Sequence, residues 1–568
     1  MKLSKHSNNP ESEVPVTTLA ILQLTRFGDL IQTAQAIEEL KKAHPEYRII
    51  LIARSQFARP LGFVLNKLFD KTYYLDTKKI FQDSEIGGLN TSISGLNQFL
   101  AELSGESIKL LINLSFSSSS SYLSSLIKSE IKTGSHYDFE NKIQINDKWS
   151  QLLYATVMRG SLNPFALVDL IRNIIGIKPT ENKKPALNIN LRSNVIVIHP
   201  FASQERKTWK PEKWVEVIYR TLKDNEFYTI QIVGAKNEVH LANKIIENPL
   251  LKTFNNRIRN LTGETTLAEL STELKKAKLF IGHDSMVGHL AALSQTPTLT
   301  ISLGSVRPQE TTPYQENSYN LSPRTKCFPC FPTDACGYYQ CHHDIPHQLV
   351  STAVKQLLTQ GHIDTSWLKE SISSFHTSSV NFYRSRFQKG YLVLDNLIDN
   401  ALDTSDIFRS LYKITWSFII NDTEENISFP KLTPTTHRDL LDSLTGLQHL
   451  YELAEFGMKY SRYILEEVSS PTPSIAKIKE YSKKIDEIDH LQNLVLKTAP
   501  KLAPLIDFFA IKKANLQGDG LVQLTESSYY AFHDYSGLCS IMYELIENTI
   551  SEHKNTTVRM TSKNDANK

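Results

Sequence analysis

Three short segments of this 568-residue chain place reactive side chains directly behind apolar runs. In Thr25-Arg26-Phe27-Gly28-Asp29 a carboxylate follows a glycine turn. It can take a proton from a hydroxyl, or it can cap the next helix and favour its dipole. Read alone, the cap is the plainer assignment. In His199-Pro200-Phe201-Ala202-Ser203, with Lys207, Trp209 and Pro211 behind it, a hydroxyl and an ammonium precede a helix. Ser203 suits a phosphate oxygen by hydrogen bonding and Lys207 by charge. The plainer alternative is a solvated loop with a surface lysine. In Gly282-His283-Asp284-Ser285-Met286-Val287-Gly288-His289-Leu290 a helix starts almost without a loop. Its free N–H groups make an anion site that fits a nucleotide diphosphate. Against that stand Asp284 as a cap and His289 as a structural histidine.

A fourth group is chemically distinct. Cys327, Cys330, Cys336 and Cys341 follow a C-x2-C-x5-C-x4-C pattern, with His342, His343 and His347 close behind. Four soft ligands so near in sequence fit a structural tetrahedral zinc site or a redox staple, against reduced thiols packed in a loop. The flanks lack the basic cluster of a nucleic-acid-binding zinc module. Cys539 stands alone in an apolar helical stretch and reads as core.

The elements that must position these groups follow from periodicity. Leu19 to Leu24 reads as a strand, Asp29 to His44 as a helix with Ile31, Ala34, Ile37 and Leu40 on one face, and Tyr47 to Ala53 as a second strand. This is a βαβ unit, which implies a parallel sheet, and parallel sheets bind ligands at the carboxyl ends of their strands. Leu110 to Phe116 reads as a later strand of the same sheet. A second α/β half opens with NVIVIHPFA near Asn194. It continues through strands at Thr229 to Ala235, Lys278 to Ser285 and Thr298 to Leu303, with helices between them. The expected organisation is a disordered tail over 1–16, α/β halves over 17–190 and 191–360, and a linker over 361–380. A mainly helical accessory region over 381–560 and a disordered tail over 561–568 complete it.

Composition bounds the function. Sixty-three basic residues against sixty acidic ones, net charge +3, argue against a general nucleic-acid-binding surface. Five cysteines make no disulfide scaffold. The amino terminus lacks the apolar core of a secretory signal. Leu110 to Ile127 is uncharged, but eight of its residues are serine, too polar for a bilayer span. A cytoplasmic setting is expected.

Taken in order, ILQLTRFGDLIQT, HPFASQERKTWKPEKW and NLTGETTLAELSTELKKAKLFIGHDSMVGHLAAL resemble glycosyltransferase family 9, the lipopolysaccharide heptosyltransferases, over about residues 18–355. The resemblance implies a GT-B architecture, two Rossmann-like domains facing a cleft, with acceptor on the first and nucleotide-sugar on the second. It implies inverting transfer without a catalytic metal or other cofactor, Asp29 as general base, and Lys207 with Ser203 stabilising the leaving diphosphate. Glu238 would contact the ribose, and Asp284, Ser285, the amides of Met286 and Val287, and His289 would form the donor loop. ADP-heptose is the donor favoured and a lipopolysaccharide or other glycan the acceptor, with peripheral contact at the inner face of the inner membrane and no nucleic-acid partner. Met286 and Phe201 stand where the family commonly has glycine, and Gln35 where it commonly has proline. A nucleotide-sugar-binding scaffold on a decayed transferase fold, or a sugar-nucleotide epimerase, are the alternatives.

Overall fold

The computed structural model describes residues 17–77, 88–160, 162–178, 192–331, 333–366, 378–398, 404–421 and 432–564. The expected tail over 1–16, most of the expected linker and residues 565–568 lie outside them.

Strands β1 (Thr18–Gln23), β2 (Arg48–Arg54), β3 (Lys71–Leu75), β4 (Ile108–Asn113) and β5 (Ile131–Thr133) form a parallel sheet in the order β3-β2-β1-β4-β5. β1, β2 and the end of β4 are apolar on both faces because helices cover the sheet on both sides. Helix α1 (Phe27–Ala43) is the first crossover; it buries Leu30, Ile31, Ala34, Ile37 and Leu40. Strand order reverses between β1 and β4, and the crevice at such a reversal is where doubly wound sheets hold ligands. Strands β6 (Ser135–Tyr137) and β7 (Ile143–Ile145) pair as a separate antiparallel ribbon.

The second sheet contains β8 (Val195–His199), β9 (Thr229–Ile232), β10 (Ile258–Asn260), β11 (Leu279–His283), β12 (Thr298–Ile301) and β13 (Tyr319–Pro323), all parallel. Its order, β10-β9-β8-β11-β12-β13, reverses between β8 and β11. Two further strands, β14 (Val380–Gln388) and β15 (Tyr391–Asn396), extend its edge as an antiparallel hairpin. The mainly helical region expected from 381 thus opens with two strands before its helices. Alternation was hidden there because β14 is buried along most of its length against β13 and the helices beyond.

Helices Thr404–Asn421, Pro434–Val468, Ile475–Thr498, Ala503–Ala514 and Leu521–Asn564 make up the carboxyl-terminal bundle; the last runs through 561–564, which the sequence reading gave to the tail. The second and last cross closely at Gly457, where a Cβ would meet Phe532 ring carbons at 2.4 Å. The bundle is not a separate body. Its apolar core is continuous with that of the first α/β half, with Ala503–Ala514 packed on the Lys148–Thr156 helix. Asp406 also accepts from Gln309 (3.2 Å) and from the Tyr383 hydroxyl (3.1 Å), tying the bundle to the second sheet. Among the described residues no helix is long and apolar enough to cross a membrane.

The two α/β halves are joined by a buried polar cluster. The Tyr314 hydroxyl donates to Asp169 (2.6 Å) and accepts from the Arg172 guanidinium (2.7 Å), which also donates to the Gly390 carbonyl (2.9 Å). The Leu392 N–H donates to Asp169 (3.0 Å). Gln35, in the middle of α1, donates to the Tyr314 carbonyl (3.2 Å), a bond between the halves that proline at that position could not make.

Candidate functional site

The turn after β1 behaves in part as the plain reading foresaw. Asp29 sits at the third position of α1 and accepts from the Arg26 N–H (3.1 Å), so it does cap the helix. One such bond leaves most of a carboxylate's acceptor capacity unused. The same side chain lines a cavity of about 1030 Å³ with Arg26, Arg54, Ser117 and Tyr122. Asp29 and Ser117 follow the two strands that flank the reversal point of the first sheet. Leu75, Ile93 and Leu126 supply an apolar wall, and Ile93, Tyr122 and Leu126 remain largely exposed. Burial pushes the Arg54 guanidinium below its ordinary value, with Arg26 adding to the shift and Asp29 opposing it. Arg54 also lies over the Phe57 ring at 4.5 Å. Sequence reasoning missed Arg54, although it ends β2 in the position that makes Asp29 a candidate after β1.

The second half meets this turn directly. A Cβ on Gly28 would lie 3.3 Å from Cδ2 of His289, and α1 packs against the Met286–Leu293 helix. His289 is buried, its Nε2 is 3.7 Å from Asp284, and its Nδ1 has no hydrogen-bond partner among the described residues. Burial pushes its pKa down, while Asp284 and Asp29 pull it up. A carboxylate of the first half and one of the second therefore act on one imidazole.

Asp284 accepts from the Thr311 hydroxyl (2.9 Å) and does not cap the helix. Ser285 is the N-cap residue by position, yet its side chain makes no capping bond; its hydroxyl pairs with Nδ1 of His199 at 3.1 Å. The Met286 and Val287 N–H groups are thus left without a side-chain acceptor at the start of an eight-residue helix. Met286 is not among the residues with positive φ, so the position needs no glycine for its backbone. Phe201 is buried, edge-on to His199, and its ring fills the space over Gly234, where a Cβ would approach it to 2.9 Å.

Glu238 accepts from the Ala235 N–H (2.6 Å) and lies 3.9 Å from Nε2 of His199. Burial pushes its carboxyl up, but the nearby His199 imidazole and the Ala235 N–H outweigh it, and the net shift is downward. Ser203 is exposed and Lys207 half-buried on the short turn after β8. That turn is braced by the cysteine-bearing loop: His342 Nε2 pairs with the Arg206 carbonyl (2.9 Å), and the Arg206 guanidinium donates to the Phe331 carbonyl (3.3 Å). The buried His283 behind it accepts from the Trp209 N–H (3.0 Å) and faces the Ile301 carbonyl (3.2 Å), which fixes its proton on Nδ1. Burial holds its pKa down to about 3, so it stays neutral.

The four cysteines of the expected zinc site are all free thiols, with Cys341 buried and Cys327 exposed. Among the described residues no three His, Cys, Asp or Glu side chains converge as metal ligands. Burial pushes the Cys330 and Cys341 thiols up, whereas the Tyr339 and Tyr338 N–H groups pull Cys336 down.

The family model of glycosyltransferase family 9 (heptosyltransferase) matches residues 97–339, which include His199, Ser203, Lys207, Glu238, Asp284, Ser285 and His289. Lipooligosaccharide heptosyltransferase 2 of Campylobacter jejuni is 25% identical over 343 residues, 60% of this chain and 98% of that protein. Among solved structures, a glycosyltransferase family 9 protein of Veillonella parvula aligns with TM-score 0.45 and 19% identity over 61% of this chain and 98% of that one. The ADP-heptose lipopolysaccharide heptosyltransferase II of Escherichia coli aligns with TM-score 0.44 and 18% identity over 61% and 99%. Residues 97–339 of the chain thus match glycosyltransferase family 9, and the chain is similar to its heptosyltransferases over 60% of its length.

Proposed function

We propose that the protein transfers heptose from ADP-heptose, with inversion, to a lipopolysaccharide-core acceptor. The observation that carries this reading is the meeting of the Gly28–Asp29 turn with His289. A carboxylate at the mouth of a first-half cavity faces the diphosphate-type loop of the second half. Asp29 takes the proton of the acceptor hydroxyl as its oxygen attacks the anomeric carbon. The bond from that carbon to the diphosphate breaks, and the electron pair leaves with the diphosphate. The Met286 and Val287 N–H groups and Asp284–Ser285 hold the diphosphate, and Lys207 with Ser203 meets the charge that develops on it. Glu238 accepts from the ribose hydroxyls. Arg26 and Arg54 beside Asp29 favour an acceptor that carries negative charge, as an acidic core glycan does. The apolar wall of the same cavity supports work against a membrane surface, with the chain held peripherally at the inner face of the inner membrane.

The test is a ligand-stabilisation screen with ADP-, GDP- and UDP-sugars. ADP-heptose raises the melting temperature with saturation, and ADP alone does so in part. A shift confined to a UDP- or GDP-sugar overturns the donor assignment.

A further inference from the structure

Resting on the donor-site reading above, we propose that His199 is a positioning residue for the donor. It joins the Ser285 hydroxyl and the Glu238 carboxylate into one line, so that the diphosphate loop and the ribose-side carboxylate recognise the donor as a unit.

The placement follows from topology. His199 is the last residue of β8, and Ser285 lies just beyond β11; these strands flank the reversal point of the second sheet. The bond between His199 Nδ1 and Ser285 Oγ (3.1 Å) therefore crosses the crevice in which such a sheet holds a nucleotide. On the other side of the ring, Nε2 faces Glu238 Oε2 at 3.9 Å. Glu238 cannot move away freely, because it also accepts from the Ala235 N–H and lies against Gly234. The ring is itself held: Phe201 packs edge-on to it, and only 7% of His199 is exposed. Ser285 would otherwise fold back and cap its own helix, as N-cap serines usually do. His199 diverts that hydroxyl and leaves the helix N–H groups open to an anion. A residue that only filled space would need neither nitrogen.

The test is a double-mutant cycle read by calorimetric ADP binding and by steady-state kinetics on the full chain. His199→Ala weakens ADP binding by about tenfold, the effect of losing one hydrogen bond to a charged or tightly held group. It raises the KM for the donor and leaves the KM for the acceptor unchanged. His199→Asn, whose amide can replace Nδ1, restores most of the affinity. His199→Ala and Ser285→Ala together weaken binding little more than either alone, since they break one shared interaction. Additive effects in the cycle, an unchanged donor KM in His199→Ala, or an Asn variant no better than Ala would overturn the proposal. If the wild-type protein does not bind ADP at all, the donor-site reading falls first, a failure distinct from unaltered binding in the variants.

Discussion

Gly28→Ala puts the contact between the halves under a defined strain. The added methyl would sit 3.3 Å from Cδ2 and 3.7 Å from Nε2 of His289. A comfortable carbon–carbon contact needs about 3.5–4.0 Å, so the imidazole or the turn must give by a few tenths of an ångström. Two effects on stability oppose each other. Alanine is favoured over glycine in a helix by up to about 1 kcal/mol, while overpacking costs about 1–3 kcal/mol. With the full propensity gain, the net loss of unfolding free energy is about 0–2 kcal/mol, toward the low end once the half-buried turn relaxes. Catalysis has no such compensation, because a displacement of this kind acts on Asp29 and His289 together, and misplaced reacting groups lose rate steeply. The variant should keep its fold and melt within a few degrees of wild type, yet lose about tenfold or more in kcat/KM. Urea titration and initial-rate measurements on one preparation separate the two. A Gly28→Ala protein that is both more stable and fully active would refute the contact as a functional one.

Three other outcomes follow from particular side chains. Arg54→Ala should raise the KM for an anionic acceptor about tenfold while leaving the donor KM alone, because Arg54 lines only the first-half cavity. Glu310 is buried beside Arg307 and Arg409, and burial pushes its pKa up to about 7. An acid whose folded pKa lies above its unfolded value keeps its proton longer in the folded state, so its contribution to stability is full at low pH and is lost as pH rises between about 4.5 and 7. Denaturant titrations across that window should show the fall in wild type, and Glu310→Gln should flatten it. Gly457→Ala should destabilise the whole protein by about 2 kcal/mol or more through its collision with Phe532, in a single unfolding transition because the bundle shares the core of the first half. A separate early transition of the bundle would contradict that continuity.

Much of the α/β part was legible in the sequence, because its signals are local. The β1, β2, β8 and β11 runs are short and apolar, and each is followed within a few residues by a glycine, serine or aspartate. Their helices carry clear apolar faces, so the boundaries fell within a few residues. The long Pro434–Val468 helix starts where it does because Thr433 caps it and Pro434 suits its first turn. What was not legible depends on distant partners. The β14–β15 hairpin owes its place to β13, about sixty residues earlier, and nothing in VNFYRSRFQ alone shows that it pairs on both sides. His199 was visible as a member of a motif, but its role emerges only when β8 and β11 bring Ser285 to one nitrogen and β9 brings Glu238 to the other. The cysteine spacing suggests a shared metal, and the fold buries Cys341 and leaves Cys327 exposed. Asp29 shows that the plain and functional readings are not exclusive, since it caps α1 and still lines the cavity.

The most direct measurement is the single-turnover rate of Asp29→Asn with saturating ADP-heptose and acceptor, paired with ADP binding to the same protein. Asparagine keeps the size of the side chain and an oxygen to cap Arg26 but cannot take a proton. The account predicts a loss of about 10²–10⁴ in rate with ADP affinity within twofold of wild type. Transfer at the wild-type rate by Asp29→Asn would contradict it.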